Sequence, residues 1–512
     1  MSQEQILVEK QKKKKKEPEK KQKKKSSVKG EVLSYLAKKI IYFPLLRNSL
    51  MKMLEKKMYE EVVTKATDYP KKVQEKKLDF IKAILQSGIR NFDKGYISKN
   101  YMNRAFDTLV KQSWIEKESL NDVRDKFEKI NSLQPPSFIV FSPTQVCNLK
   151  CTGCYASSSE MNATTLPYDV VEKVVDETYN EWGSRFMVIS GGEPLLYKDD
   201  NKTLFDIWEK YDQMFFLFFT NGTRIDEKTA KRFAGMGNVT PAISVEGFEK
   251  ETDERRGPGT YKKILEAAKN LREAGAPFGV SVTITKKNYE ILKEDKFYDF
   301  IFNELGASYM WMFQLMPIGQ ATCVKELMID AKQRVDLFRH WEKLISEKNY
   351  PVADFWNSGV LADGCIAYGR PGGYLYIDWH GNITPCAFVP FYEDNVKDLF
   401  ANNKKLADAL HSDLFKNGRK WQQDFGLSHT NKPGNWLMAC SIRDNWKNFK
   451  KNILTDTATP EDPAAKEFIN SSEIDKVLSD FNEDLDKLTT PIWENEYLDK
   501  DTNEEEVEVK KE

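Results

Sequence analysis

Three cysteines within eight residues constrain this chain more than any other feature: Cys147-Asn148-Leu149-Lys150-Cys151-Thr152-Gly153-Cys154, spaced C-x3-C-x2-C. Just upstream, residues 137–143 form an apolar run that reads as a buried strand. The thiols therefore sit on the loop leaving a strand, where function is usually placed. Three thiolates so close together suit an iron–sulfur cluster, which cysteines hold. A closed structural zinc site needs four ligands, usually in C-x2–4-C pairs. No fourth cysteine or histidine lies nearby, so one metal position would stay open for a substrate or cofactor.

The other four cysteines, Cys323, Cys365, Cys386 and Cys440, all lie downstream, and the first 146 residues contain none. An odd number of this kind is not a secreted disulfide scaffold; it fits a reducing compartment and metal ligation. The 512 residues are 40% hydrophobic and 30% charged, enough for two or three domains around a large core. Formal net charge is zero, so overall charge names no partner, and nucleic acid is not expected as one. No apolar run reaches the ~18–20 residues of a bilayer-spanning helix. The basic N-terminus has no adjoining apolar segment of signal-peptide type. The expected location is cytoplasmic.

Residues 1–30 read as a disordered Lys-rich tail. From 31 to 58, Leu33, Leu36, Ile40, Phe43, Leu46, Leu50, Leu54 and Met58 recur at helical spacing, with Lys38, Lys39, Arg47, Lys52, Lys56 and Lys57 among them. Pro44 should kink or split that helix. The stripe suits packing on a neighbouring domain. It also suits a basic amphipathic helix on an anionic membrane, which would make the protein peripheral at the inner membrane face. Residues 31–133 are expected as a helical N-terminal domain, closed by Gln134-Pro135-Pro136.

From 137 the texture alternates. Expected strands are 138–141, 186–189, 215–219, 239–245, 278–284 and 309–315, with helices at 167–182, 200–212, 226–236, 260–274 and 290–305 between them. Six strand–helix repeats mean a parallel α/β sheet. Distinctive turns follow the strands: Ser190-Gly191-Gly192-Glu193-Pro194, Thr220-Asn221-Gly222, and Ser244-Val245-Glu246-Gly247 with Arg255-Arg256-Gly257-Pro258-Gly259 after it. Adjacent glycines let backbone approach a ligand closely, and an arginine fork suits a carboxylate. There is no HExxH, Walker A loop or G-x-S-x-G, and the four histidines lack metal-ligand spacing.

The cysteine spacing and these turns together resemble the radical S-adenosylmethionine (radical SAM) superfamily, in the subgroup of molybdopterin, haem and peptide-modifying enzymes. The resemblance implies an α/β fold with a partial (β/α)6 TIM-type barrel over 137–325. It implies a 4Fe–4S cluster on Cys147, Cys151 and Cys154 with SAM on the fourth iron. Gly191, Gly192 and Glu193 would meet the amino group of SAM, Ser244 its ribose and Arg256 its carboxylate. Glu246 stands where the family usually has aspartate. Gly153 stands where an aromatic residue or histidine often stacks on adenine, so Tyr155 or backbone near Met316-Pro317 is expected to replace it.

Beyond the sixth strand, Cys365, then Gly381-x4-Cys386, then Asn395-Val-Lys-Asp-Leu, and finally Cys440, resemble the twitch or SPASM extensions that carry auxiliary iron–sulfur clusters. Residues 326–450 would form a small cysteine-containing extension with one auxiliary cluster on Cys365, Cys386 and Cys440. Its fourth position would be open or filled by Cys323; buried core thiols are the other reading. Residues 451–512 are a helical and acidic tail.

The implied activity is that of an oxidoreductase- or transferase-type enzyme. It would reductively cleave SAM to a 5′-deoxyadenosyl radical that abstracts hydrogen from an unactivated carbon, with ferredoxin or flavodoxin as electron donor. The basic N-terminus favours a membrane-associated lipid substrate. A peptide or tetrapyrrole substrate is the alternative, and a non-catalytic iron–sulfur protein is the rival class.

Overall fold

The computed structural model describes residues 44–66, 69–108, 117–158, 163–354, 357–427 and 433–498. The Lys-rich tail, the stripe residues Leu33 to Phe43 and the acidic C-terminal residues lie outside that range. Six parallel strands form where the apolar runs predict them: β1 Phe138–Phe141, β2 Phe186–Ile189, β3 Phe215–Thr220, β4 Val239–Ser244, β5 Gly279–Ile284 and β6 Met310–Gln314. Each pairs in parallel with the next. Helices such as Tyr168–Asn180, Glu227–Met236 and Thr260–Ala274 connect them. Asp226 caps one helix through the Thr229 N–H, and Gly275 ends another in the left-handed conformation.

Both faces of this sheet are apolar, for different reasons. Ile139, Phe141, Met187, Ile189, Phe216, Phe218, Val280, Val282, Met310 and Met312 point outward into the helical layer and are buried there. Fully burying such side chains contributes about 1.5–3 kcal/mol each. Their alternate neighbours, Phe138, Val140, Phe186, Val188, Leu217, Phe219, Trp311 and Phe313, turn to the inner face, where they line a cavity. A parallel sheet covered on both faces reads as nearly continuous apolar runs.

The C-terminal region extends the sheet at both edges. β7 (Val352–Asp354) pairs in parallel with β6, and β8 (Tyr374–Ile377) pairs in parallel with β1. β9 (Asn382–Thr384) then turns back along β8. β7 and β8 end the parallel series without pairing to each other, so the sheet curls but does not close. Before β1 come helices α1 (Pro44–Tyr59) and α2 (Lys71–Asp93). Pro70 immediately precedes α2, and Gly95 lies just beyond its end with φ +76°. The start of α2 packs beside the gap between β7 and β8, with Val73 against Val360 and Trp436. Among the described residues no helix is long and apolar enough to cross a membrane.

Candidate active site

The loop after β1 carries Cys147, Cys151 and Cys154 to the C-terminal end of the sheet, as expected for strand-end chemistry. All three line a cavity of ≈ 480 Å³ on the inner face. The glycines after β2 are required by this loop. A Cβ on Gly192 would lie 2.3 Å from the Val146 carbonyl, and one on Gly191, at φ +113°, 2.4 Å from the Thr144 carbonyl. Gly192 N–H donates to Thr144 O at 2.9 Å and Glu193 N–H to Val146 O at 2.8 Å. The close approach expected toward a ligand is thus first an approach to the cysteine loop, although both glycines also border the cavity.

The two acidic residues expected as cofactor contacts do something else. Glu193 is fully buried and does not line the cavity. It accepts from Thr220 Oγ1 at 2.8 Å, Asn221 N–H at 2.8 Å and Leu195 N–H at 3.1 Å. Burial raises its pKa despite these donors. It pins the Thr220-Asn221-Gly222 turn, whose Asn221 Nδ2 sits 3.8 Å from Cys147 Sγ. Glu246 is 1% exposed and accepts from Arg255 Nη1 at 2.6 Å, Arg256 Nε at 2.8 Å and Thr283 N–H at 2.9 Å. Its carboxylate orients two arginines. In both cases donors from the chain itself hold the carboxylate in place.

Arg256 lies on the cavity wall, with Nη1 3.9 Å from Cys151 Sγ. Burial works against its charge, but Glu246 and the Cys151 sulfur more than offset this and raise its pKa. Ser244 lines the same wall and hydrogen-bonds Ser281 at 3.0 Å. Tyr155 borders the cavity and its hydroxyl ties two loops together. Its hydroxyl meets Ser190 Oγ at 2.8 Å and accepts from Gly191 N–H at 3.3 Å.

The second group of cysteines converges on the same cavity. Cys365, Cys386 and Cys440 all line it, arriving from three separate loops. Tyr374 Oη donates to Cys386 Sγ at 2.9 Å, and the Phe388 N–H is 3.4 Å from the same sulfur. The Arg443 N–H is 3.3 Å from Cys440 Sγ. Behind Cys440, Asp444 accepts from the Cys440 N–H and holds the buried Arg334 at 2.5 Å. Cys323 is not brought here: it is exposed and lies off the cavity. It sits on the turn Gly319–Leu327, whose fold serves the first loop through Gln320 N–H to Cys154 O. Phe388 lies between the two groups, with its ring 6.4 Å from Tyr155 and 6.2 Å from Phe313.

Residues 141–301 match the model of the radical SAM superfamily. The chain carries a radical SAM domain. Over 313 residues it is 28% identical to a mycofactocin maturase of Mycobacterium tuberculosis (strain CDC 1551 / Oshkosh), covering 58% of this chain and 74% of the relative. Over 294 residues it is 26% identical to an AdoMet-dependent heme synthase of Methanosarcina barkeri (strain Fusaro / DSM 804), covering 51% and 80%. Among solved structures, Streptococcus suis SuiB bound to its precursor peptide SuiA aligns with a TM-score of 0.47 at 21% identity, over 59% of this chain and 72% of that one.

A radical SAM domain implies a 4Fe–4S cluster and SAM, and the first cysteine loop suits the cluster. Among the described residues no three His, Cys, Asp or Glu side chains are placed to hold a single metal ion. A cluster of several irons spreads its ligands wider than one ion does. Burial pushes the Cys147 thiol up to about 12, so it stays protonated until a metal coordinates it and draws off the proton. Burial pushes Cys386 up to about 12 as well, and raises Cys365 and Cys440. Sequence reasoning quoted Asn221 and Arg255 within motifs without giving either a role, and did not single out Tyr374 or Thr283 for this site. The Arg-Arg doublet and the alternation of Ser281 and Thr283 on β5 were the available signals. Nothing local marks Tyr374.

Proposed function

We propose that this radical SAM enzyme holds a 4Fe–4S cluster on Cys147, Cys151 and Cys154 and uses SAM for hydrogen abstraction from an unactivated carbon. The observation that carries the reading is a single cavity bordered by both cysteine groups. When bound, the reduced cluster and SAM supply a 5′-deoxyadenosyl radical. The chain's part is to bind, orient and exclude water. Gly191 and Gly192 offer backbone on one side of the cysteine loop, and Ser244 and Arg256 offer polar groups on the other. Glu193 and Glu246 act behind them by fixing Asn221, Arg255 and Arg256. Cys365, Cys386 and Cys440 would hold an auxiliary cluster facing the same space. An external one-electron donor such as a ferredoxin or flavodoxin would complete the cycle.

The substrate side of the cavity is apolar. Phe138 stacks on Tyr374 at 5.4 Å and meets Phe186 edge-on at 5.5 Å, while Phe219 meets Phe313 edge-on at 5.3 Å. Such walls favour a hydrocarbon portion, as in a lipid, over groups that need charged partners. A peptide or tetrapyrrole is the second reading, favoured by the names of the maturase and heme synthase relatives. Anaerobic reconstitution followed by dithionite-dependent cleavage of SAM to methionine and 5′-deoxyadenosine tests the activity. Iron uptake without cleavage would return the protein to the class of non-catalytic iron–sulfur proteins.

A further inference from the structure

Helix α2 reaches both the cavity and the surface. Phe80, in its middle, lines the cavity beside Leu361 and Ala362, where the sheet is open between β7 and β8. The Lys77 ammonium holds this wall through Asp363 at 2.5 Å. One turn beyond Phe80, on the same helical face, Ile84 is 45% exposed, and Ile81 beside it is 37% exposed. One turn further, a Cβ on Gly88 would meet nothing within 4 Å. An apolar stripe therefore runs from inside the cavity to the outside along one helix.

Exposed apolar side chains concentrate on α1 and α2. Six large apolar side chains are exposed among the described residues, and four of them, Met53, Tyr59, Ile81 and Ile84, belong to α1 and α2. The rest of the described residues therefore show no comparable concentration. Met53 is flanked by exposed Lys52, Lys56 and Lys57, none of which has an acidic partner among the described residues. Glu55, Glu60 and Glu61 alternate with them, so the basic excess belongs to the two helices together: residues 44–66 and 71–93 carry eleven Lys and Arg against six Asp and Glu. A net basic excess around exposed apolar side chains is complementary to an anionic lipid surface.

We infer that α1 and α2 form a lipid-facing port: they rest on an anionic bilayer and pass one hydrocarbon chain past Phe80 into the cavity between the two cysteine groups. This rests on the apolar-substrate reading above and adds the route and the docking face. The port needs no covalent step, so it can be tested apart from turnover.

The probe is full-length reconstituted protein with vesicles of phosphatidylglycerol and phosphatidylcholine, the phosphatidylglycerol carrying a diazirine near its acyl terminus. Irradiation should label the stretch 71–93 and a cavity strand such as β2 or β3. Replacing Ile81 and Ile84 together by Glu, at exposed positions that leave the core intact, should weaken vesicle binding by about tenfold or more. Lys52→Gln, Lys56→Gln and Lys57→Gln together should weaken it by roughly a hundredfold, at about 1 kcal/mol per basic residue and 1.4 kcal/mol per tenfold. Label confined to residues 1–43, or no label, overturns the port; so does binding that neither set of substitutions changes. SAM cleavage is measured on the same preparations without vesicles. Cleavage that persists without vesicle binding overturns the port alone. Absent cleavage beside intact binding and labelling overturns the radical reading alone.

Discussion

The two cysteine groups face one cavity but are built in opposite ways. Cys147, Cys151 and Cys154 come from a single loop, and their spacing is set by eight consecutive residues. Cys365, Cys386 and Cys440 come from three loops, and only packing brings them together. The first group is braced by neighbours on consecutive strands: the glycines after β2, Asn221 after β3 and Arg256 after β4. The second is braced by Tyr374 from β8 and by the buried Arg334–Asp444 pair. A contiguous site can form early from local chain, whereas a dispersed one is available only once long-range contacts exist. The first group should therefore depend on its ligands and the second on its scaffold.

The largest expected effect is at the contiguous site. Cys151→Ala should abolish SAM cleavage, because an iron–sulfur cluster depends on its cysteine ligands. In a background that also lacks Cys365 and Cys386, electron paramagnetic resonance should show no SAM-responsive signal. A cluster that still responds to SAM there would break the assignment. Next comes the pair Cys365→Ala and Cys386→Ala. Iron content should fall by about half if both sites hold clusters of one size, while SAM cleavage uncoupled from substrate persists. Unchanged iron would make this group ordinary core thiols and end the comparison.

A smaller effect is expected behind the first site. Glu246→Gln leaves Arg255 and Arg256 without their shared carboxylate at a position 1% exposed. Breaking a buried pair of this kind costs about 3–5 kcal/mol. The melting temperature should fall and the KM for SAM should rise, with iron content retained. If KM is unmoved, Glu246 matters to the fold but not to the arginines' function. The smallest effect is Tyr374→Phe, which removes the hydroxyl 2.9 Å from Cys386 Sγ. One hydrogen bond is worth about 1 kcal/mol, on the order of 40 mV for a one-electron couple. A cluster held by Cys365, Cys386 and Cys440 would become harder to reduce by that amount in a redox titration, while one on the first group keeps its potential.

Sequence alone determined the six core strands and the spacing of the first cysteine group. Each is a local property: a short apolar run bounded by turn residues, a spacing inside one loop. The need for glycine at 191 and 192 comes from carbonyls of the cysteine loop, which only the fold brings there. The sequence could not assign Glu193 and Glu246, because a carboxylate's role depends on which donors reach it first: Thr220, Asn221 and Thr283 come from neighbouring strands and their turns, and Arg255 from the helix that follows. Nor could it place β7, whose three residues are too short to show a period, or set β8 beside β1. Tertiary structure alone decided that Cys365, Cys386 and Cys440 converge, that Cys323 does not, and that Phe80 of a remote helix enters the cavity wall. These are contacts between residues far apart in the chain, and only the packed sheet fixes which of them meet.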